Sequence, residues 1–207
     1  MKQGLCDIIV VLDRSGSMES IRADMEGGFN QFVKEQKAAP GECRLSLFQF
    51  DDVYDQVYSR RPLADVPPLR LMPRNMTALL DAVGRTINVV GQGFAAEPEA
   101  ERPEKVVFMV ITDGHENASH EFTKAQVRAL VERQAKDYQW QFVYLGSDLS
   151  TFDDAAGLSM PAALYAATPV GTRRLYNSTS AAVMSYRSGA SSTLQVPSDL
   201  TETEGPK

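Results

Sequence analysis

Asp13, Ser15 and Ser17 stand at alternating positions in the run Asp13-Arg14-Ser15-Gly16-Ser17, directly after an apolar stretch. Alternation along a tight loop turns the three oxygen-bearing side chains the same way, and Gly16 lets the backbone turn. Thr77, in Arg74-Asn75-Met76-Thr77-Ala78-Leu79, brings a third hydroxyl at the opening of a helical stripe. Asp113 brings a second carboxylate at the end of another apolar run. Together these five make two carboxylates and three hydroxyls, with no nitrogen or sulfur. That donor set suits a hard cation, and octahedral Mg²⁺ more than Zn²⁺. Alone, Asp-x-Ser-x-Ser is a polar turn with a capping residue. The joint presence of Thr77 and Asp113 at matching places in the topology turns it into a metal site.

Other chemistry fits less well. In His115-Glu116-Asn117-Ala118-Ser119-His120 the histidines are five apart and precede a helix, whereas the helical zinc motif needs them four apart. They read as loop residues, with His115, Glu116 and Asn117 as an alternative rim for the metal site. A hydrolase built on Ser15 or Ser17 with His115 lacks the glycine that a nucleophile elbow needs two residues before its serine; Asp13 stands there before Ser15. Asp51 and Asp52 read as a solvated hairpin turn, with an extension of the acidic rim as the alternative, and Trp140, Tyr176 and Tyr186 as packing residues.

The elements that must position these groups alternate in type. Ile8–Leu12 and Val106–Ile111 are continuous, β-rich runs too short for helices, as expected of central parallel strands covered on both faces. Leu45–Phe50 and Phe142–Leu145 are similar, Ala162–Ala166 is weaker, and Val53–Ser59 is a short edge strand. Ile21, Met25, Phe29, Phe32 and Val33 recur at helical spacing despite Gly27 and Gly28, which implies close packing there. Leu79 to Val90 carries a second stripe. Thr123 with Gln126 is a capping box for a third helix, and Leu175 to Tyr186 suggests a last one. The order predicts a doubly wound, mostly parallel α/β sheet of six strands with one antiparallel edge strand and helices on both faces. Asp13 and Asp113 then end neighbouring strands beside the switch point, where ligands gather in such sheets. Residues 61–73 read as an extended connector, 91–104 as an exposed loop and 188–207 as a disordered tail after a domain at 1–187.

The chain has 207 residues, 43% hydrophobic and 23% charged, with a net charge of −6. That composition is globular, and its acidity argues against a nucleic-acid partner. No apolar run has the length of a membrane span, and the start reads as a strand, not a signal peptide. Cys6 and Cys43 open apolar runs and are expected as reduced, buried thiols of a cytoplasmic protein, although parallel pairing would make them neighbours.

Asp13-x-Ser15-x-Ser17, then Thr77, then Asp113-Gly114 resembles the metal-ion-dependent adhesion site of von Willebrand factor A domains. The context agrees: Met18 after Ser17, Thr77-Ala78-Leu79 at a helix start, and Ile111-Thr112-Asp113-Gly114. The similarity spans roughly residues 5–187 and looks closest to compact, stand-alone bacterial or phage members. It implies Ser15, Ser17 and Thr77 as ligands of Mg²⁺, with Mn²⁺ or Ca²⁺ as substitutes. Asp13 and Asp113 would bind directly or through water, and one position would remain for a partner's carboxylate.

The expected function is therefore non-enzymatic: Mg²⁺-dependent binding of a protein that presents Asp or Glu. An AAA+ ATPase or a stress or tellurite-resistance component is a partner implied by resemblance alone. The alternatives are a metal-dependent hydrolase or phosphatase, and an assembly subunit whose tail (Asp199, Glu202 or Glu204) bridges protomers.

Overall fold

The computed structural model describes residues 1–148 and 150–201, without the side chains of 151 and 152. Strands β1 (Lys2–Asp13), β2 (Cys43–Phe50), β3 (Tyr54–Pro62), β4 (Pro103–Thr112), β5 (Gln141–Gly146), β6 (Ala162–Tyr165) and β7 (Asp199–Leu200) form one sheet in the order β3-β2-β1-β4-β5-β6-β7. Among the described residues only β3 runs antiparallel, as an edge hairpin with β2. The helices are α1 (Arg22–Ala38), α2 (Leu79–Ala96), α3 (Lys124–Tyr138), α4 (Ser150–Gly157) and α5 (Pro169–Ser188). A short 3-10 helix, Gly16–Ile21, leads into α1.

Alternation along β1 feeds two cores. Ile8, Val10 and Leu12 point to one face, packed with Met25, Phe29 and Phe32 of α1 and Leu175, Tyr176 and Val183 of α5. Ile9 and Val11 point to the other, with Leu79, Val83 and Ile87 of α2 and Val127 and Val131 of α3. All five of these β1 side chains are fully buried, which is why the run shows no polar alternation. Gly28 faces Tyr176, where a Cβ would collide with the ring, so this glycine sets the close approach of α1 and α5. Trp140, Tyr176 and Tyr186 are buried, as expected. The capping box at Thr123 and Gln126 forms with both of its hydrogen bonds.

Two segments differ from the sequence expectation. Among the described residues the sheet has seven strands, not six. Residues 189–201, predicted as the start of a disordered tail, return to the domain: Leu194 and Leu200 are buried, the Leu164 N–H donates to the Ser198 carbonyl at 2.8 Å, and β7 pairs with β6. The rest of that segment, 202–207, lies outside the described residues. Helix α2 also runs on through Gly91 and Gly93 to Ala96, where a loop is expected. Val90 and Phe94 keep its helical spacing and are buried, Phe94 edge-on to Trp140 at 5.7 Å, and this packing outweighs the glycines' poor propensity.

Cys6 and Cys43 face each other in parallel register as buried free thiols. The hydrogen bond to Cys43, together with burial, raises the Cys6 pKa well above its ordinary value.

Candidate metal centre

Strands β1 and β4 are neighbours and end side by side, β1 at Asp13 and β4 at Thr112. The Thr112 hydroxyl donates to Asp13 Oδ2 at 2.6 Å, and the Ser15 N–H donates to Asp13 Oδ1 at 2.6 Å. Both oxygens of this fully buried carboxylate are thus engaged by the strand ends around it. Burial pushes its pKa up to about 6; the bonds from Thr112 and Ser15 oppose that rise, and the charge of Asp113 adds to it.

The other four predicted residues meet just beyond. Ser15 Oγ and Ser17 Oγ are 3.1 Å apart, and the Ser17 hydroxyl donates to Asp113 Oδ1 at 2.6 Å. Thr77 joins them around Gly114. A Cβ placed on that glycine would lie 3.4 Å from Ser17 Oγ, 3.4 Å from Thr77 Oγ1 and 3.7 Å from Ser15 Oγ. Three hydroxyls from two loops therefore surround one small space that glycine leaves open. Asp113 borders it with a pKa raised by burial against the Ser17 hydrogen bond. Among the described residues, no three His, Cys, Asp or Glu side chains gather as a metal-binding group. The set is hydroxyl-rich with two carboxylates, which fits a small hard cation and not a nitrogen- or sulfur-seeking one.

The loops that carry these groups are bound to one another. The Gly16 N–H donates to the Asn75 carbonyl at 3.2 Å and the Arg74 N–H to the Arg14 carbonyl at 2.9 Å. Asn75 takes up a positive φ of 58°, which asparagine tolerates well. Asp51 ties the same loops from below. Its carboxylate accepts from Arg14 Nε at 3.0 Å, Arg74 Nε at 2.6 Å and the Val53 N–H at 2.5 Å, and its carbonyl accepts the Ala78 N–H at 2.8 Å. Burial would raise its pKa, but these hydrogen bonds outweigh burial and hold it below its ordinary value. Asp51 is thus a fully buried ion-pair centre and not the solvated turn residue expected; Asp52 beside it is exposed.

Glu116 and Asn117, read from the sequence as an alternative rim, are bound to the backbone at the start of α2 and at Thr77, with Asn117 itself exposed. Glu116 Oε2 accepts the Leu80 N–H at 2.9 Å, placing a carboxylate at the N-terminus of α2, and Oε1 accepts the N–H groups of Ala118 and Ser119. Asp81 answers from the helix by accepting the N–H groups of His120, Glu121 and Phe122 at 2.8 to 2.9 Å. Asn117 binds the backbone of Thr77 in both directions. Sequence reasoning missed the support given by Asp81 and assigned Asp51, Glu116 and Asn117 other roles, because the partners that reveal it lie roughly 20 to 40 residues away and leave no local pattern. His115 remains exposed. Its Nδ1 lies 3.1 Å from Ser150 Oγ at the start of α4, and its Nε2 3.9 Å from Asp148.

Near the far edge, Asp199 accepts from the Thr201 N–H and hydroxyl, while Glu202 and Glu204 lie outside the described residues. Among the described residues, no helix is long and apolar enough to cross a membrane.

No protein-family model and no curated protein sequence matches the chain. Solved structures do. A von Willebrand factor type A protein from Catenulispora acidiphila is similar over 86% of the chain with a TM-score of 0.60 and 16% identity. The ArnB paralog VWA2 from Sulfolobus acidocaldarius is similar over 88% with a TM-score of 0.55 and 13% identity. The conserved hypothetical protein BatB from Bacteroides thetaiotaomicron is similar over 87% with a TM-score of 0.51 and 14% identity. The chain spans 42% and 45% of the first two proteins and 98% of the third. At these identities the likeness concerns the fold: the chain has a von Willebrand factor A-like fold.

Proposed function

We propose that this von Willebrand factor A-like domain is a non-enzymatic protein-binding module that holds a divalent cation, Mg²⁺ by preference, and recognises a carboxylate of its partner. The observation that supports this most directly is the convergence of the Ser15, Ser17 and Thr77 hydroxyls on the open space at Gly114, with Asp113 alongside. In this reading Ser15, Ser17 and Thr77 hold the ion, Asp113 stands beside it, and Asp13 fixes the Ser15 loop while adding negative charge. Mg²⁺ bound there would supply a coordination position that an outside Asp or Glu oxygen can fill. Because the hydroxyls are neutral, they leave much of a cation's charge uncompensated, which favours an anionic ligand at short range. The chain's own charge of −6 gives no such attraction at distances beyond the Debye length.

Two measurements test the proposal. Calorimetry should show Mg²⁺ or Mn²⁺ uptake by the wild type and none by Asp113→Ala or by the Ser15→Ala/Ser17→Ala double variant. Affinity capture with Mg²⁺ should retain partners that are lost with chelator and with Asp113→Ala. Identical capture under all three conditions would remove the metal from recognition.

A further inference from the structure

The chain has two cysteines, and the sheet sets them side by side. Cys6 of β1 and Cys43, the first residue of β2, are direct partners in the parallel register, and the Cys6 N–H donates to the Glu42 carbonyl at 3.0 Å. Both side chains belong to the core that α1 and α5 cover, Cys6 in line with Ile8 and Val10, Cys43 in line with Leu45 and Leu47. Neighbouring strands lie about 4.7–4.9 Å apart, inside the range of about 4.4–6.8 Å between α-carbons that a disulfide spans. The two backbones already stand at the separation that such a bond needs.

The pair lies toward one end of the sheet and not in its middle. Strand β2 starts at Cys43, and the link 39–42 that leads into it is exposed at residues 40–42. Arg187, in the last turn of α5, holds that link. Its guanidinium donates to the carbonyls of Gln36, Pro40 and Gly41 at 2.8, 3.4 and 3.1 Å, and its charge reaches Cys6. Of the two thiols Cys43 is the less buried, 6% exposed against 2% for Cys6. The Cys6 thiol holds its proton firmly, since its hydrogen bond to Cys43 and its burial both raise its pKa, so Cys43 is the group that reacts first.

We infer that Cys6 and Cys43 are a site of reversible oxidation, joined by a disulfide when a small-molecule disulfide such as glutathione disulfide is in excess, and that the Arg187 contacts with the 39–42 link control access to it. Release of these few surface contacts uncovers Cys43 while the strands stay paired, a local opening that costs far less than unfolding. The Cys43 thiolate, its proton gone to water, attacks one sulfur of the oxidant, forming a mixed disulfide and expelling one glutathione thiolate. The Cys6 sulfur, on losing its proton, attacks the Cys43 sulfur and expels the second. Two protein thiols are thereby oxidised, and one glutathione disulfide is reduced to two thiols. The bond closes the β1-α1-β2 crossover, which carries Asp13, Ser15 and Ser17, into one loop and removes much of the freedom of that loop in the unfolded chain. It depends on neither a cation nor a partner.

The test uses the whole chain in glutathione buffers from reducing to oxidising, with free thiols then blocked in denaturant and the mass measured. Oxidising buffer should give a monomer lighter by two hydrogens, with both sulfurs protected from the blocking reagent, and dithiothreitol should restore the thiols. The oxidised form should melt roughly 5–10 °C above the reduced form, and Cys43→Ala should show no such difference. Arg187→Ala, confirmed as folded by circular dichroism, should be oxidised severalfold faster than the wild type. Thiols that stay free in the folded chain under buffers that oxidise it in urea, or a mixed disulfide that never resolves, would overturn the site. An unchanged rate in folded Arg187→Ala would overturn the control by Arg187 and leave the disulfide standing.

Discussion

Asn117 and Thr77 hold each other across forty residues of sequence. Asn117 Oδ1 accepts the Thr77 N–H at 2.9 Å, and the Asn117 N–H donates to the Thr77 carbonyl at 3.0 Å. The side chain that brings the third hydroxyl to the site is thus oriented by the loop that follows the second carboxylate. Asn117→Ala removes the acceptor and leaves a backbone N–H on buried Thr77 without it. The expected cost is about 1–2 kcal/mol of stability in urea unfolding, with a roughly tenfold or greater loss of Mg²⁺ affinity by calorimetry. Asn117→Asp keeps the acceptor oxygen and should restore most of both.

Gly114→Ala separates the site from the fold. The added methyl would meet three hydroxyl oxygens at 3.4 to 3.7 Å, ordinary contact distances that require no rearrangement, and Gly114 does not have a positive φ. The melting temperature without metal should therefore stay within a degree or two of the wild type. The methyl takes up the space among the oxygens, so the rise in melting temperature produced by excess Mg²⁺ should disappear. At a hundred times the dissociation constant, that rise reflects about 2.7 kcal/mol. A full Mg²⁺ effect in this variant would place the ion elsewhere.

The frame of this arrangement was legible in the residue order because β1 and β4 are buried on both faces. Their sequences are unbroken apolar runs, each ending in the polar residues that face the crevice. Asp13, Ser15 and Ser17 are close in sequence, so their common direction follows from local geometry. Thr77 and Asp113 could be joined to them only through the topology. Long-range polar contacts were not legible. Nothing near Asp51 announces two arginines 37 and 23 residues away, so it reads as a solvated turn, and Glu116 reads as a rim residue although it caps α2. The last strand was missed for another reason: Leu194, Val196 and Leu200 are spaced for one face of an extended segment, but the serines and proline among them resemble a tail.

Two adjacent glycines of α1 should respond to alanine in opposite senses. Gly27 is exposed and has open space where a Cβ would stand, so Gly27→Ala should raise stability by about 0.5–1 kcal/mol through helix propensity. At Gly28 the same propensity gain meets the Tyr176 ring, a packed and buried neighbour that also lies edge-on to Phe29. Overpacking there costs about 1–3 kcal/mol, so Gly28→Ala should be destabilising on balance. Paired thermal or urea melts of the two variants check the sign of each.

Asp51→Asn should produce the largest stability loss of the set without touching a proposed ligand. The wild-type carboxylate is inaccessible to solvent, and Arg14, whose side chain is 9% exposed, depends on it. Removing the charge leaves a largely buried guanidinium with Asp55 as its remaining anion. Breaking one side of such a pair costs about 3–5 kcal/mol. The effect should depend on pH in a defined direction. Because the folded-state pKa of Asp51 is depressed, its ionised form stabilises the fold at all pH values above the unfolded carboxylate's value of about 3.9. As the pH falls below that value toward the lower folded-state pKa, the wild type loses this contribution and the variant does not. Urea unfolding of both proteins from pH 7 down to pH 3 should therefore show a constant gap that narrows only at the acid end. A gap unchanged down to pH 3 would mean that Asp51 acts through hydrogen-bond geometry rather than through its charge.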